Sequence, residues 1–370
     1  MKVNGNIPIG SEGFVSVTVE GDGPLIDSVT QIDAPNPELP WLMPGFIDQH
    51  SHGGGGGAFE SGEAQAVERA IEFHASQGTT SLMASLVSAS KEDLLEQVAT
   101  LAPYVHSGSL MGIHLEGPWI SLEKKGAHDS EVLRGLEAEE LAGLLKAAQG
   151  AITKVTVAPE IPGVLESIPQ MRDAGIRVAI GHTQADYQLT LQALDAGATI
   201  ATHLFNAMSE LLHRSPGPAG AFFERSNSFF ELIADFEHLH PAVIRAAIAA
   251  VGPERAVLVS DSICAVGGPL SIYDLGTLRV QVSESKAVIA DTETLARSLL
   301  TMHSALVNVV RANIVNLDEG AALTASSPAA AMGLTGQGRI RLGFRSDLVA
   351  LNHDLSINAI YAQGVDRGHS

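Results

Sequence analysis

The chain has 370 residues, 45% hydrophobic and 17% charged, and Asp plus Glu outnumber Lys plus Arg by 42 to 22, a formal charge of -20. So acidic a chain excludes the basic patch that nucleic acid or an anionic membrane needs, and any phosphate site must be built locally from Arg, His and backbone N–H groups. The single cysteine, Cys264, excludes an internal disulfide and fits a reducing, cytoplasmic setting. Met1 to Gly10 lacks the apolar core of a signal peptide, and the apolar stretch at 242–251 is interrupted by Arg245.

The first forty residues read as short strands, Phe14–Val19 and Leu25–Val29, broken by Gly, Asp and Pro. From Trp41 apolar strands alternate with amphipathic stretches. The strands are Leu42–Asp48, Thr80–Leu86, Leu110–Leu115, Lys154–Ala158, Arg177–Ile180, Thr199–His203, Phe229–Ala234 and Ala256–Ser260. Helical patterns lie between them at Gly62–Gln77, Lys91–Tyr104, Glu137–Ala148, Val164–Ala174, Asp186–Ala196 and Pro241–Val251. This alternation predicts an α/β fold, a (β/α)8 TIM-like barrel. A doubly wound sheet is the fallback, but no Gly-x-Gly-x-x-Gly opens a helix.

Beyond the eighth strand, Gly267–Ile289 reads as hairpin-like, followed by helices around Leu295–Val310 and Glu319–Met332. The tail returns to strand texture in Arg339–Leu342, Asp347–Leu351 and Ala359–Gln363. The cheapest topology pairs both chain ends. Residues 1–43 and 338–370 then form a small β-sandwich domain beside a barrel of residues 44–337.

His50 and His52 end the first strand, two residues apart, so both imidazoles point to one face. Such a pair alone is weak evidence for a metal. However, Glu116 ends the third strand, His182 the fifth, His203 the sixth and Asp261 the eighth. Barrel active sites gather at the C-terminal ends of strands, so these residues share one mouth. Taken singly, a polar residue after a strand is a turn former or helix cap; together they point to a metal-dependent hydrolase. His114 lies deeper on the third strand and reads as a core histidine. Cys264 reads as a small buried hydrophobe, and His213 and His240 as exposed loop residues.

The segments Pro44–Asp48, His114–Pro118, Lys125–His128, Gly181–Thr183, Thr202–Met208, Ile233–His238, Thr324–Ala329 and Gly343–Val349 carry a resemblance running to the tail. The chain resembles the amidohydrolase superfamily and, within it, the N-acetylglucosamine-6-phosphate deacetylase family. The resemblance implies Glu116, His182 and His203 as main ligands of a divalent metal (Zn, Fe or similar), with His50 and His52 holding a second ion when two are bound per subunit. It implies Asp261 as general base, His128 as the group polarising the amide carbonyl, and Asn206, Ala207, Arg214 and His238 as holders of the sugar phosphate. It also implies a homodimer, in which Arg214 reaches a neighbouring subunit's site.

Two positions depart from the family pattern. Trp119 replaces a smaller aromatic, which predicts altered packing on the substrate side, and Arg297 replaces a glycine beside the site. Rival readings are an N-acetylgalactosamine-6-phosphate deacetylase, an N-acyl-amino-acid deacylase, and a non-catalytic sugar-phosphate-binding barrel. Many cyclic-amide hydrolases use a carboxylated lysine at the end of strand four, but Lys154 stands at the beginning of that strand. A binding barrel has no need of Asp261.

Overall fold

A computed structural model describes every residue except 12, 276, 277, 284, 285, 293, 369 and 370. Eight parallel strands form the central sheet: Phe46–Ser51, Thr79–Leu86, Gly112–Glu116, Ile152–Val157, Arg177–Ile180, Ile200–Ala201, Phe229–Ile233 and Ala256–Val259. Each pairs with its neighbours in chain order. Closure comes just past the last strand, where Asp261 N–H donates to the His50 carbonyl at 2.8 Å and His52 N–H to the Ser262 carbonyl at 2.9 Å. The expected barrel is therefore present.

Helices follow the first seven strands at Ala64–Ser76, Lys91–His106, Ala138–Ala148, Val164–Asp173, Tyr187–Ala196, Gly217–Glu224 and Pro241–Val251; Met302–Arg311 completes the ring. Their starts are locally encoded. Ser90 and Asp186 accept from Asp93 N–H and Leu189 N–H, and Thr301 and Ser304 form a reciprocal cap. The short helix Gly217–Glu224 has no counterpart in the sequence reading, because Gly and Pro dilute its periodicity.

The chain ends build one seven-stranded sheet containing Lys2–Ile9, Gly13–Glu20, Ser28–Gln31, Trp41–Pro44, Leu348–Leu351, Ile357–Ala362 and Val365–Asp366. A separate core, including Val17, Val19, Leu42 and Leu348, packs within it, and Ile26 N–H reaches the Phe344 carbonyl at 2.8 Å. The β domain expected from both chain ends is present, its strands hydrogen-bonded in one continuous order around that core.

Several sequence-predicted elements differ. Leu42–Asp48 is two strands, since Trp41–Pro44 joins the terminal sheet and Phe46–Ser51 the barrel. Gly45 stands between them, where an added Cβ would lie 2.2 Å from the Thr80 hydroxyl. Lys2–Ile9 escaped notice because Asn4, Asn6 and Pro8 hide its alternation. The buried Asn6 amide donates to the Asn36 and Leu39 carbonyls at 3.0 Å each. Arg339–Leu342 is not a strand. The helix expected from Leu295 begins only at Met302, because residues 295–300 are held alongside the end of the last barrel strand. There Ser298 N–H donates to the Asp261 carbonyl at 2.9 Å and Ile263 N–H to the Ser298 carbonyl at 3.2 Å. Among the described residues no helix is long and apolar enough to cross a membrane.

Candidate metal centre and active site

The barrel strands end level with one another, pairing Thr156 with Glu116, Val157 with Ile180 and Ile233 with Val259. This register delivers the strand-end residues to one mouth. His182, His203 and Asp261 follow their strands with φ of 47°, 30° and 46°. Left-handed backbone is strained for non-glycine residues and gathers at functional sites.

Two donor groups are buried there: Glu116 with His182 and His203, and His50 with His52 and Asp261. His203 Nε2 lies 3.0 Å from His182 Nε2 and 3.0 Å from Glu116 Oε1, and His182 Nε2 lies 3.2 Å from the same oxygen. His50 and His52 bring their Nε2 atoms to 3.2 Å, with Asp261 Oδ1 at 3.5 and 3.4 Å. Tetrahedral ligands about 2.0–2.1 Å from an ion lie roughly 3.3 Å apart. Two facing Nε2 lone pairs otherwise repel, so these spacings fit a divalent ion. Glu116 faces both groups, with Oε1 toward His182 and His203 and Oε2 at 3.3 Å from His52.

Outer contacts set the tautomers. His182 Nδ1 donates to the Lys124 carbonyl at 2.8 Å, and His50 Nδ1 to Glu231 Oε2 at 3.1 Å, so that each ring in its neutral form would turn the Nε2 lone pair toward a metal. His128 is the reverse case. Ser88 N–H donates to its Nδ1 at 3.3 Å, so Nε2 carries the proton and points toward Glu116 Oε2 at 3.4 Å. Burial pushes His128 down to about 3, and it stays neutral as a hydrogen-bond donor. Burial would raise the Asp261 carboxyl, but His50 and His52 hold it below the ordinary range, as a carboxylate.

Beneath the mouth, Glu231 is a charged residue in an apolar strand that sequence reasoning passed over. It accepts from Lys154 Nζ and, at 2.7 Å, from Gln49 Nε2. Burial opposes its ionisation, yet Lys154 and His50 hold its pKa at about 2. Lys154 lies in the barrel interior and belongs to neither donor group. Its signal was visible in sequence: a lone charge on a core strand needs a partner. His114 is likewise interior, within hydrogen-bond reach of the Ser85 and Thr156 hydroxyls at 2.9 and 2.7 Å.

A cleft of about 440 Å³ opens over the centre, lined among others by His128, Asn206, Ala207, His238, Asp261 and Arg297. His238 Nδ1 donates to Asp235 Oδ2 at 2.6 Å, and although burial opposes it, Asp235 raises the imidazole's pKa. That suits an anion. Arg214 is not brought here; it is exposed and lines a separate cavity with Tyr187 and Ser215. Trp119 is fully buried in the main core and does not line the cleft, contrary to the substrate-side role expected for it. Cys264 is also buried, and burial pushes its thiol up to about 11. His240 caps the helix Pro241–Val251.

The amidohydrolase family profile matches residues 41–367. The chain is 33% identical over 328 residues to an N-acetylglucosamine-6-phosphate deacetylase of Vibrio furnissii, covering 87% of this chain and 82% of that one. It is also 33% identical over 346 residues to an N-acetylgalactosamine-6-phosphate deacetylase of Escherichia coli O157:H7, covering 92% and 90%. A Mycobacterium smegmatis N-acetyl-D-glucosamine-6-phosphate deacetylase variant, solved in complex with N-acetyl-D-glucosamine-6-phosphate, superposes with a TM-score of 0.93 at 38% identity over 99% and 98% of the two chains. With a barrel closed through His50 and Asp261, strand-end donors in one mouth and a profile match over most of its length, this chain belongs to the amidohydrolase family.

Proposed function

We propose that the protein hydrolyses the N-acetyl group of N-acetyl-D-glucosamine 6-phosphate, giving D-glucosamine 6-phosphate and acetate. The observation that carries this reading is the convergence of Glu116, His182, His203, Asp261 and His128 on one cleft whose wall holds His238 and Asn206. A divalent ion, when bound, supplies a water nucleophile at neutral pH by lowering that water's pKa to about 7. Glu116, His182 and His203 would hold the main ion, with His50 and His52 serving a second.

Asp261 takes the proton from the attacking water and passes it to the departing amine. His128 donates Nε2–H to the carbonyl oxygen, where negative charge develops in the transition state. His238, whose protonated form Asp235 favours, and Asn206 with the Ala207 backbone N–H hold the sugar phosphate. Because Arg214 is exposed and away from its own chain's cleft, we assign its bidentate guanidinium to the phosphate of a partner copy in a homodimer.

Purified protein loaded with Zn2+ is expected to release acetate from N-acetylglucosamine 6-phosphate and far less from the unphosphorylated sugar. Arg214→Ala should raise KM for the phosphorylated sugar only. Equal rates on both sugars would remove the phosphate from the proposal, and absence of acetate would sink it. The galactosamine isomer is a necessary arm, since the E. coli relative named for it is equally similar. Independently of substrate, Glu116→Ala is expected to lose the main ion, leaving less than a tenth of the wild-type metal after gel filtration. Retention of the wild-type content would refute the ligand set.

A further inference from the structure

Arg297 lies within the cleft without a part in the chemistry above. Its side chain is 6% exposed, with Nη2 3.5 Å from Glu116 Oε2 and Nε 3.7 Å from Asp261 Oδ1. Those two oxygens face the second donor group, since Glu116 Oε2 and Asp261 Oδ1 lie 3.3 and 3.4 Å from His52 Nε2. Glu116 Oε1 lies nearer His203 and His182, at 3.0 and 3.2 Å, than His50 Nε2 at 3.4 Å.

The backbone holds the guanidinium at this point. On one side of Arg297, Ala296 N–H donates to the Ala287 carbonyl at 2.9 Å, and on the other Ser298 N–H donates to the Asp261 carbonyl at 2.9 Å. Arg297 itself has φ of 63°, a conformation glycine adopts freely and a residue with a Cβ adopts only at a cost. A strained, buried cation beside two carboxylates is an outlier from which function is properly inferred.

We propose that Arg297 is a built-in cation at the second donor group, so that the chain binds one divalent ion tightly at Glu116, His182 and His203 and a second only weakly at His50, His52 and Asp261. This rests on the reading of the centre as a divalent-metal site. The charge count favours it. With neutral imidazoles, the carboxylates of Glu116 and Asp261 carry two negative charges, which one divalent ion alone neutralises. Arg297 leaves the centre with one positive charge in excess, and a second ion would make the excess three in a buried, weakly screened site. The guanidinium also competes directly for the carboxylate oxygens a second ion would need.

The test is a titration of metal-stripped full-length protein with Zn2+ against a competing chelator, with the ion count after gel filtration read by elemental analysis. Wild type should hold one ion. Arg297→Gly, which suits the left-handed backbone and should fold, is expected to hold two, with the second Kd lowered at least tenfold. Arg297→Met keeps the bulk and removes the charge, and it should show the same tightening. Adding His52→Ala to Arg297→Gly should return the count to one.

A wild type holding two ions of similar affinity would overturn the proposal. So would a change below tenfold in Arg297→Gly, or tightening in Arg297→Gly that Arg297→Met does not share, which would assign the effect to bulk. Failure of every variant to bind Zn2+ would sink the metal reading beneath it. Unchanged ion counts in variants that still hydrolyse the sugar phosphate would sink this inference alone.

Discussion

Asp261→Asn is expected to keep the main ion and lose turnover by about 10²–10⁴-fold, the usual contribution of a positioned general acid–base. The amide retains the shape of the carboxylate but cannot accept the water proton. Asp261 sits at φ of 46° with its N–H donated to the His50 carbonyl, and Asn is among the residues that tolerate left-handed backbone, so the fold should persist. The measurements are kcat on the phosphorylated sugar and metal content on the same sample. Undiminished kcat would remove Asp261 from proton transfer. A loss of the main ion would instead make it a ligand of that ion.

Lys154→Met is expected to destabilise the protein by about 3–5 kcal/mol, because it leaves the Glu231 carboxylate buried without its cation. Both side chains are fully inaccessible, and Glu231 also orients His50 and accepts from Gln49. Replacing both charges, as in Lys154→Met with Glu231→Leu, should recover most of that stability, since apolar pairs of similar volume commonly match a buried ion pair. The double variant should still have a misoriented His50, because no carboxylate remains to fix its Nδ1 proton. Denaturant unfolding measures the first effect and Zn2+ binding the second. A single variant as stable as wild type would show that Glu231 finds another partner or takes up a proton.

Much of the site was legible because its residues follow strand ends. Strand-end position is a local property of sequence, and the barrel converts it into proximity without any long-range information. Glu116, His182, His203 and Asp261 could be named on that ground, and the spacing of His50 and His52 put both on one face. The buried pair Lys154–Glu231 was not named, because nothing local says that residues 77 apart in sequence meet inside a barrel. Ser88 was missed for a similar reason, and Asp235, although inside the motif segment Ile233–His238, was given no role. Each acts only through a histidine it touches, and a serine or aspartate in a loop has many ordinary uses.

The boundaries show the same division. Periodicity located the strands and most of the helices, but it ran Leu42–Asp48 together, since two apolar strands separated by one glycine look continuous. It also carried a helix back to Leu295, because helical propensity is a weak prior and tertiary hydrogen bonds override it.

By itself, then, the sequence determined the alternating α/β texture and the strand-end residues that gather in the candidate metal centre. Its motif segments carried the family resemblance. The periods of apolar residues and of strand side chains are read within a few residues, and that is enough for each of these. Only the tertiary structure decided that Trp119 is core, that Arg214 lies outside its own cleft and that the Arg297 guanidinium stands between Glu116 and Asp261. Those outcomes depend on which distant segments pack together, and for Arg297 on a left-handed residue pinned beside the last barrel strand, which no local pattern encodes.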